Sequence, residues 1–148
     1  MLRLRENMPE LNGATMWLNG ETTKDRLIGD KPTLIHFWSV SCHICKEVMP
    51  KVNEFRDKYK DRLNVVAVHM PRSEQDLDVE KVKEAGEKYH ITQPIFIDNR
   101  HALADAFGNE YVPAYYLFDA KGRLHHYQAG GEGMRLLEKR LLRVIGDE

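Results

Sequence analysis

Apolar positions in this chain follow two different rhythms, and the places where one gives way to the other predict the architecture. Thr33-Leu-Ile-His-Phe-Trp38 is a nearly continuous apolar run bounded by Gly29-Asp-Lys-Pro32, the pattern of a strand covered on both faces. From Val48 the period changes, because Met49, Val52, Phe55 and Tyr59 recur every three to four residues and share one helix face. Leu63-Asn-Val-Val-Ala-Val-His69 predicts a second buried strand, and Val79, Val82, Ala85 and Tyr89 predict a second helix. An extended piece, Pro94-Ile-Phe-Ile-Asp98, precedes a short apolar helix around Leu103 to Phe107. Strands alternating with helices in this way imply parallel strands joined by helical crossovers.

The last third reads differently. Ala114-Tyr-Tyr-Leu-Phe-Asp119 and Arg123-Leu-His-His-Tyr127, joined by the turn Asp119-Ala-Lys-Gly122, predict an antiparallel hairpin. Gly130-Gly131 then breaks the chain before a closing helix with Met134, Leu137, Leu141 and Val144 on one face. Near the start, Pro9-Glu-Leu-Asn-Gly13 through Trp17-Leu-Asn-Gly-Glu21 alternates apolar pieces with Asn-Gly turns and predicts a small β-hairpin or strand. The sum is an α/β fold, a mixed sheet with helices on both sides.

At 148 residues with 42% apolar content the chain suits a single domain spanning residues 1–148, able to bury a core without metals or a disulfide scaffold. Its 22 basic and 23 acidic residues are evenly spread, which gives no field directed at nucleic acid or an anionic membrane surface. No apolar run approaches the roughly 18 residues that span a bilayer. The start, Met1-Leu-Arg-Leu-Arg-Glu6, leads into polar sequence rather than an apolar signal core, so a cytoplasmic protein is expected.

The two cysteines sit together in Ser41-Cys42-His43-Ile44-Cys45-Lys46, and that concentrates the candidate chemistry in one place. Two cysteines three apart at the first turn of a helix stack on one face, close enough to form and break a disulfide without moving the fold. A helix N-terminus favours the thiolate of the first, so Cys42 is the expected exposed nucleophile and the less exposed Cys45 the resolving thiol. A zinc half-site needs two more ligands, yet no second cysteine pair or His-x₃₋₅-His spacing is present. Haem attachment is excluded because Lys46, not histidine, follows Cys45. No cofactor is expected beyond the Cys42–Cys45 pair itself.

With Phe37-Trp-Ser-Val-Ser-Cys-His-Ile-Cys-Lys46 between strand and helix, the chain resembles the thioredoxin superfamily and, within it, the small soluble bacterial members of the TlpA/ResA-like branch. Trp38, Pro50, the Val112-Pro113 step and the Gly130-Gly131 break extend the likeness over nearly the whole chain. The resemblance implies a thioredoxin fold with an N-terminal β extension and an added βα unit. It further implies a helix that begins near Cys42 and is kinked at Pro50, where periodicity alone would start it. By the same likeness, Val112-Pro113 is cis and, with Trp38, His43 and Ile44, belongs to the face that meets substrate.

The chain also departs from the family. His36 stands where thioredoxins bury an aspartate, which makes it a candidate proton acceptor for Cys45 or else a hydrogen-bonded core histidine. The glutamate that ResA-like chains often place two before the helix proline is replaced by Val48, with Glu47 alongside. The implied function is thiol–disulfide oxidoreduction on a disulfide-containing protein or small molecule, recharged by an upstream dithiol or reductase, with a monomer as the default state. Two alternatives remain at this level: a binding or chaperone module in which the cysteines are incidental, and a thiol peroxidase, for which Ser39 and Ile35 stand at the threonine and proline positions of the peroxidatic motif.

Overall fold

The computed structural model describes residues 1–146. Among these residues six strands form one sheet: β1 (Met16–Leu18), β2 (Thr33–Trp38), β3 (Asn64–His69), β4 (Ile95–Ile97), β5 (Ala114–Phe118) and β6 (Leu124–Ala129). Their spatial order is β1-β4-β3-β2-β5-β6. β2, β3 and β4 are parallel, whereas β5 is antiparallel to β2, β6 to β5 and β1 to β4. Helices α1 (Lys24–Leu27), α2 (His43–Lys58), α3 (Val79–Lys88), α4 (Ala102–Phe107) and α5 (Met134–Ile145) connect or follow the strands, with a 3-10 turn at Glu74–Leu77. The arrangement is a thioredoxin-like fold in which the turn, α3, β4 and α4 lie between β3 and β5, a stretch that holds the added βα unit together with a crossover helix.

The period-two alternation of β2 sorts the core into two layers. Leu34 and Trp38 face a layer with Met49, Val52 and Phe55 of α2, Val82 of α3, and Leu137 and Leu141 of α5. Ile35 and Phe37 face the other, with Leu27 of α1 and Leu103, Ala104 and Phe107 of α4. Every residue of β2 is buried, as the continuous apolar run requires for a strand at the middle of a covered sheet.

The N-terminal β element is one short strand rather than a hairpin, and Met16 to Leu18 pair with Ile97 to Ile95 along the free edge of β4. The preceding segment runs beside β6. Arg5 N–H donates to the Leu124 carbonyl (2.7 Å), Leu124 N–H to that of Glu6 (2.9 Å) and Met8 N–H to that of Gly122 (2.7 Å). Helix α2 begins five residues before the first apolar repeat at Val48 and carries Pro50 in its interior. No helix among the described residues is long and apolar enough to cross a membrane.

Candidate active site

β2 delivers the chain to the carboxyl end of the sheet, the side where open α/β folds place their ligands. After Trp38, the loop Ser39–Ser41 hands over to α2, whose N-cap is Cys42. Cys42 and Cys45 are joined in a disulfide with Cα atoms 5.3 Å apart. Cys45 N–H donates to Cys42 Sγ (3.1 Å), so the free amide of the helix's first turn is aimed at that sulfur. No acidic residue occupies the first turn to oppose negative charge there.

The expected exposed sulfur at Cys42 needs correction, since Cys42 is 3% exposed and Cys45 fully buried. In this disulfide form the Cys42 side chain lies in the core layer with Cys45, Trp38 and Met49. What little exposure the pair has is on Cys42.

His43 and Ile44 lie on the surface beside the pair, and His43 Nε2 meets Glu47 Oε1 at 2.8 Å one turn on. The Val112–Pro113 peptide bond is cis. Pro113 is buried and Val112 half-buried, and Gly130 N–H donates to the Pro113 carbonyl (2.8 Å), tying the end of β6 to this loop. Gly131 comes next, and a Cβ there would overlap Ile44 and touch Val48 Cγ1, so glycine is what allows the loop to lie on the start of α2. Trp38, which the family likeness puts beside the redox pair and on the substrate face, shares the core layer of the cysteines and is 1% exposed, its ring edge-on to His69 with centroids 5.0 Å apart. A buried strand residue packs the disulfide from within rather than meeting solvent.

His36 faces the same layer as the cysteines but is paired elsewhere. Its Nε2 lies 2.8 Å from Gln93 Nε2, and Gln93 Oε1 accepts from Arg56 (2.8 Å). Burial first, and the Arg56 charge second, lower its pKa from 6.5 to about 3, which leaves a neutral and weakly basic ring. The geometry fits the hydrogen-bonded core histidine of the two readings offered by the sequence.

The sequence reading missed three side chains beside the disulfide. His69 ends β3 directly opposite Trp38, is fully buried, and accepts from Val40 N–H through Nε2 (3.1 Å), which puts its proton on Nδ1. Burial lowers its pKa to about 4, against an opposing pull from Asp76. Asp76 and Arg72, from the added unit, both reach Ser41. One signal was available: the last residue of a parallel strand beside the strand that carries the cysteines belongs to the same end of the sheet.

A groove of about 340 Å³ beside the pair is lined by Val40, Ser41, Lys46, Asp76 and Tyr89 among others. A larger cavity, about 550 Å³, lies between the N-terminal segment and β6 and is not lined by either cysteine, so it has no part in the chemistry of the pair. Among the described residues no group of three or more His, Cys, Asp or Glu is placed to hold a metal ion.

A thioredoxin-like fold with a disulfide at the N-cap of the helix after its central strand defines a thiol–disulfide oxidoreductase. The chain belongs to the Redoxin family, whose model matches residues 5–144. It is 67% identical over 146 residues to the thiol-disulfide oxidoreductase YkuV of Bacillus subtilis, covering 99% of both chains. It is 26% identical over 123 residues to the thiol-disulfide oxidoreductase ResA of Halalkalibacterium halodurans, covering 82% of this chain and 67% of that one. Among solved structures it matches the solution structure of a thioredoxin-like protein in the oxidized form with a TM-score of 0.91 and 67% identity, over 99% of both chains.

Proposed function

We propose that the chain works as a dithiol reductase in which Cys42 attacks and Cys45 resolves. The Cys42 thiolate adds to one sulfur of a substrate disulfide and expels the other as thiolate. Cys45, on losing its proton, then attacks Cys42 Sγ and expels the second substrate thiolate. Two electrons pass to the substrate, and the chain is left with its own Cys42–Cys45 disulfide until an upstream dithiol restores it. The observation that carries the assignment is the Cys45 N–H aimed at Cys42 Sγ, because an amide at a helix N-terminus stabilises a thiolate more than a thiol or a disulfide sulfur.

Reduction rather than oxidation fits a cytoplasmic setting, whose thiol pool keeps most dithiols reduced. A monomer fits a site assembled wholly from one chain. The peroxidase alternative loses support at Ser39, which is fully buried with its hydroxyl donating to the Met70 carbonyl and so is not free to orient a peroxide. Insulin reduction with dithiothreitol tests the reading. The native chain accelerates it, Cys42→Ser does not, and Cys45→Ser accumulates mixed disulfides on Cys42; equal rates for native and Cys42→Ser would refute it.

A further inference from the structure

Among the described residues two carboxylates are buried, Asp98 and Asp76. Asp98 has a structural task, accepting from Leu103 N–H (2.9 Å) and Ala104 N–H (2.8 Å) at the start of α4. Asp76 lies in the 3-10 turn of the added unit, 2% exposed, and its bonds lead toward the cysteines. Its Oδ2 accepts from the Ser41 hydroxyl (2.7 Å) and from Arg72 N–H (2.9 Å). Ser41 Oγ accepts in turn from the Arg72 guanidinium, through Nε (3.3 Å) and Nη2 (3.2 Å). A carboxylate and a guanidinium thus meet on the hydroxyl of the residue that precedes Cys42. The same loop is fixed one residue earlier by Val40 N–H on His69 Nε2.

Burying a carboxylate is costly, and an amide of the same shape would satisfy the same neighbours at lower cost. The charge, not the shape, needs an explanation. We propose that Asp76 and Arg72 are positioning residues that act on Cys42 through Ser41. They pin the loop between β2 and α2 to the added unit and set one negative and one positive charge beside the nucleophile, so that their balance fixes how readily Cys42 ionises. The proposal rests on the reading of Cys42 as the attacking sulfur. The other titratable groups around it, His43, Cys45, Lys46 and Glu47 on α2 and Lys81, Glu84, Lys88 and Tyr89 across the groove, are the same in every variant, whereas His69 on β3 loses the upward pull of Asp76 in Asp76→Asn and so stays neutral there too.

The test is the pH profile of iodoacetamide alkylation of the reduced full chain, with the labelled cysteine identified by peptide mass. Asp76→Asn leaves the Arg72 charge unopposed and raises the thiolate-to-thiol ratio of Cys42 about fivefold, a shift of the profile to lower pH by roughly 0.7 unit. Arg72→Gln shifts it by a similar amount to higher pH. The double variant returns it to near native, and Arg72→Lys, which keeps the charge, leaves it near native. Loss of loop structure alone would move both single variants the same way, so parallel shifts, or no shift, overturn the proposal. Arg72 is exposed and its replacement leaves the core untouched, so where Asp76→Asn does not fold the Arg72 variants decide: a shift in Arg72→Gln with none in Arg72→Lys supports the proposal, and equal shifts in both overturn it. Alkylation at Cys45 instead of Cys42 overturns the role given to Cys42 and this proposal with it. That result is distinct from an unshifted Cys42 profile, which overturns this proposal alone.

Discussion

Two buried neutral histidines make the fold sensitive to mild acid. His36 is held down to about pKa 3 and His69 to about 4, against 6.5 for each in an unfolded chain. With the folded values depressed, the unfolded state takes up protons first as pH falls. Stability is therefore complete above about pH 6.5 and is lost progressively below it, until each folded ring titrates near 3 or 4. Between pH 7 and 5 each site in the unfolded chain goes from about a quarter of a proton to nearly one while the folded rings stay neutral. Linkage makes that a loss of about 2 kcal/mol per histidine, or about 4 kcal/mol together. Most carboxylates titrate below this window, so the histidines dominate it. Urea unfolding of the oxidised protein at pH 7, 6 and 5 reads the effect directly, and at about 2 kcal/mol per molar the midpoint falls by about 2 M. In His36→Gln/His69→Gln the absolute stability changes, but the slope against pH is largely abolished. A native midpoint that is flat from pH 7 to 5, or a double variant that keeps the native slope, would refute the reasoning.

Phe55→Ala empties a fully buried position on the core face of α2 and costs about 3–5 kcal/mol in urea or thermal unfolding, and a loss below 1 kcal/mol would contradict the packing described. Gly131→Ala forces its new Cβ against Ile44 and costs roughly 1–3 kcal/mol. Adding Ile44→Ala recovers most of that loss, and simple additivity of the two changes would show that the contact is not what limits the site. Asp98→Ala leaves two amides at the start of α4 without an acceptor and costs about 1–2 kcal/mol, with faster amide exchange at Leu103 and Ala104 as the local signature.

The parts of this protein written in local periodicity were legible from the chain alone. The runs at Thr33–Trp38 and Asn64–His69, the α2 stripe of Met49, Val52 and Phe55, and the terminal hairpin and helix all fall where the pattern places them. Short elements escaped, because α1 and the 3-10 turn have four residues each, too few to show a period. The first turn of α2 escaped periodicity for another reason: His43, Ile44, Lys46 and Glu47 do not make an apolar stripe, and Pro50 reads as a helix start. Only the family likeness put the boundary near Cys42. The cysteine pair was evident, but its surroundings were not. Ser41 and Asp76 are 35 positions apart and Val40 and His69 are 29 apart, so no local pattern joins them. The depth of Cys42 was equally invisible, since exposure depends on where the core closes over a sulfur already bonded to its partner.

The segment that runs beside β6 has a bearing on the borders of the sheet. An open sheet ends in a row of unpaired amides and carbonyls that invites a strand from another molecule. β1 occupies one such border, and Arg5, Glu6 and Met8 occupy the beginning of the opposite one. Arg5 and Glu6 add little to the interior while Met8 is buried in it, and together they act as a selvage along the sheet. A chain shortened before Met8 would retain its cysteines and its core while offering a longer bare rim, and its first failing would be adhesion to its own kind rather than loss of chemistry.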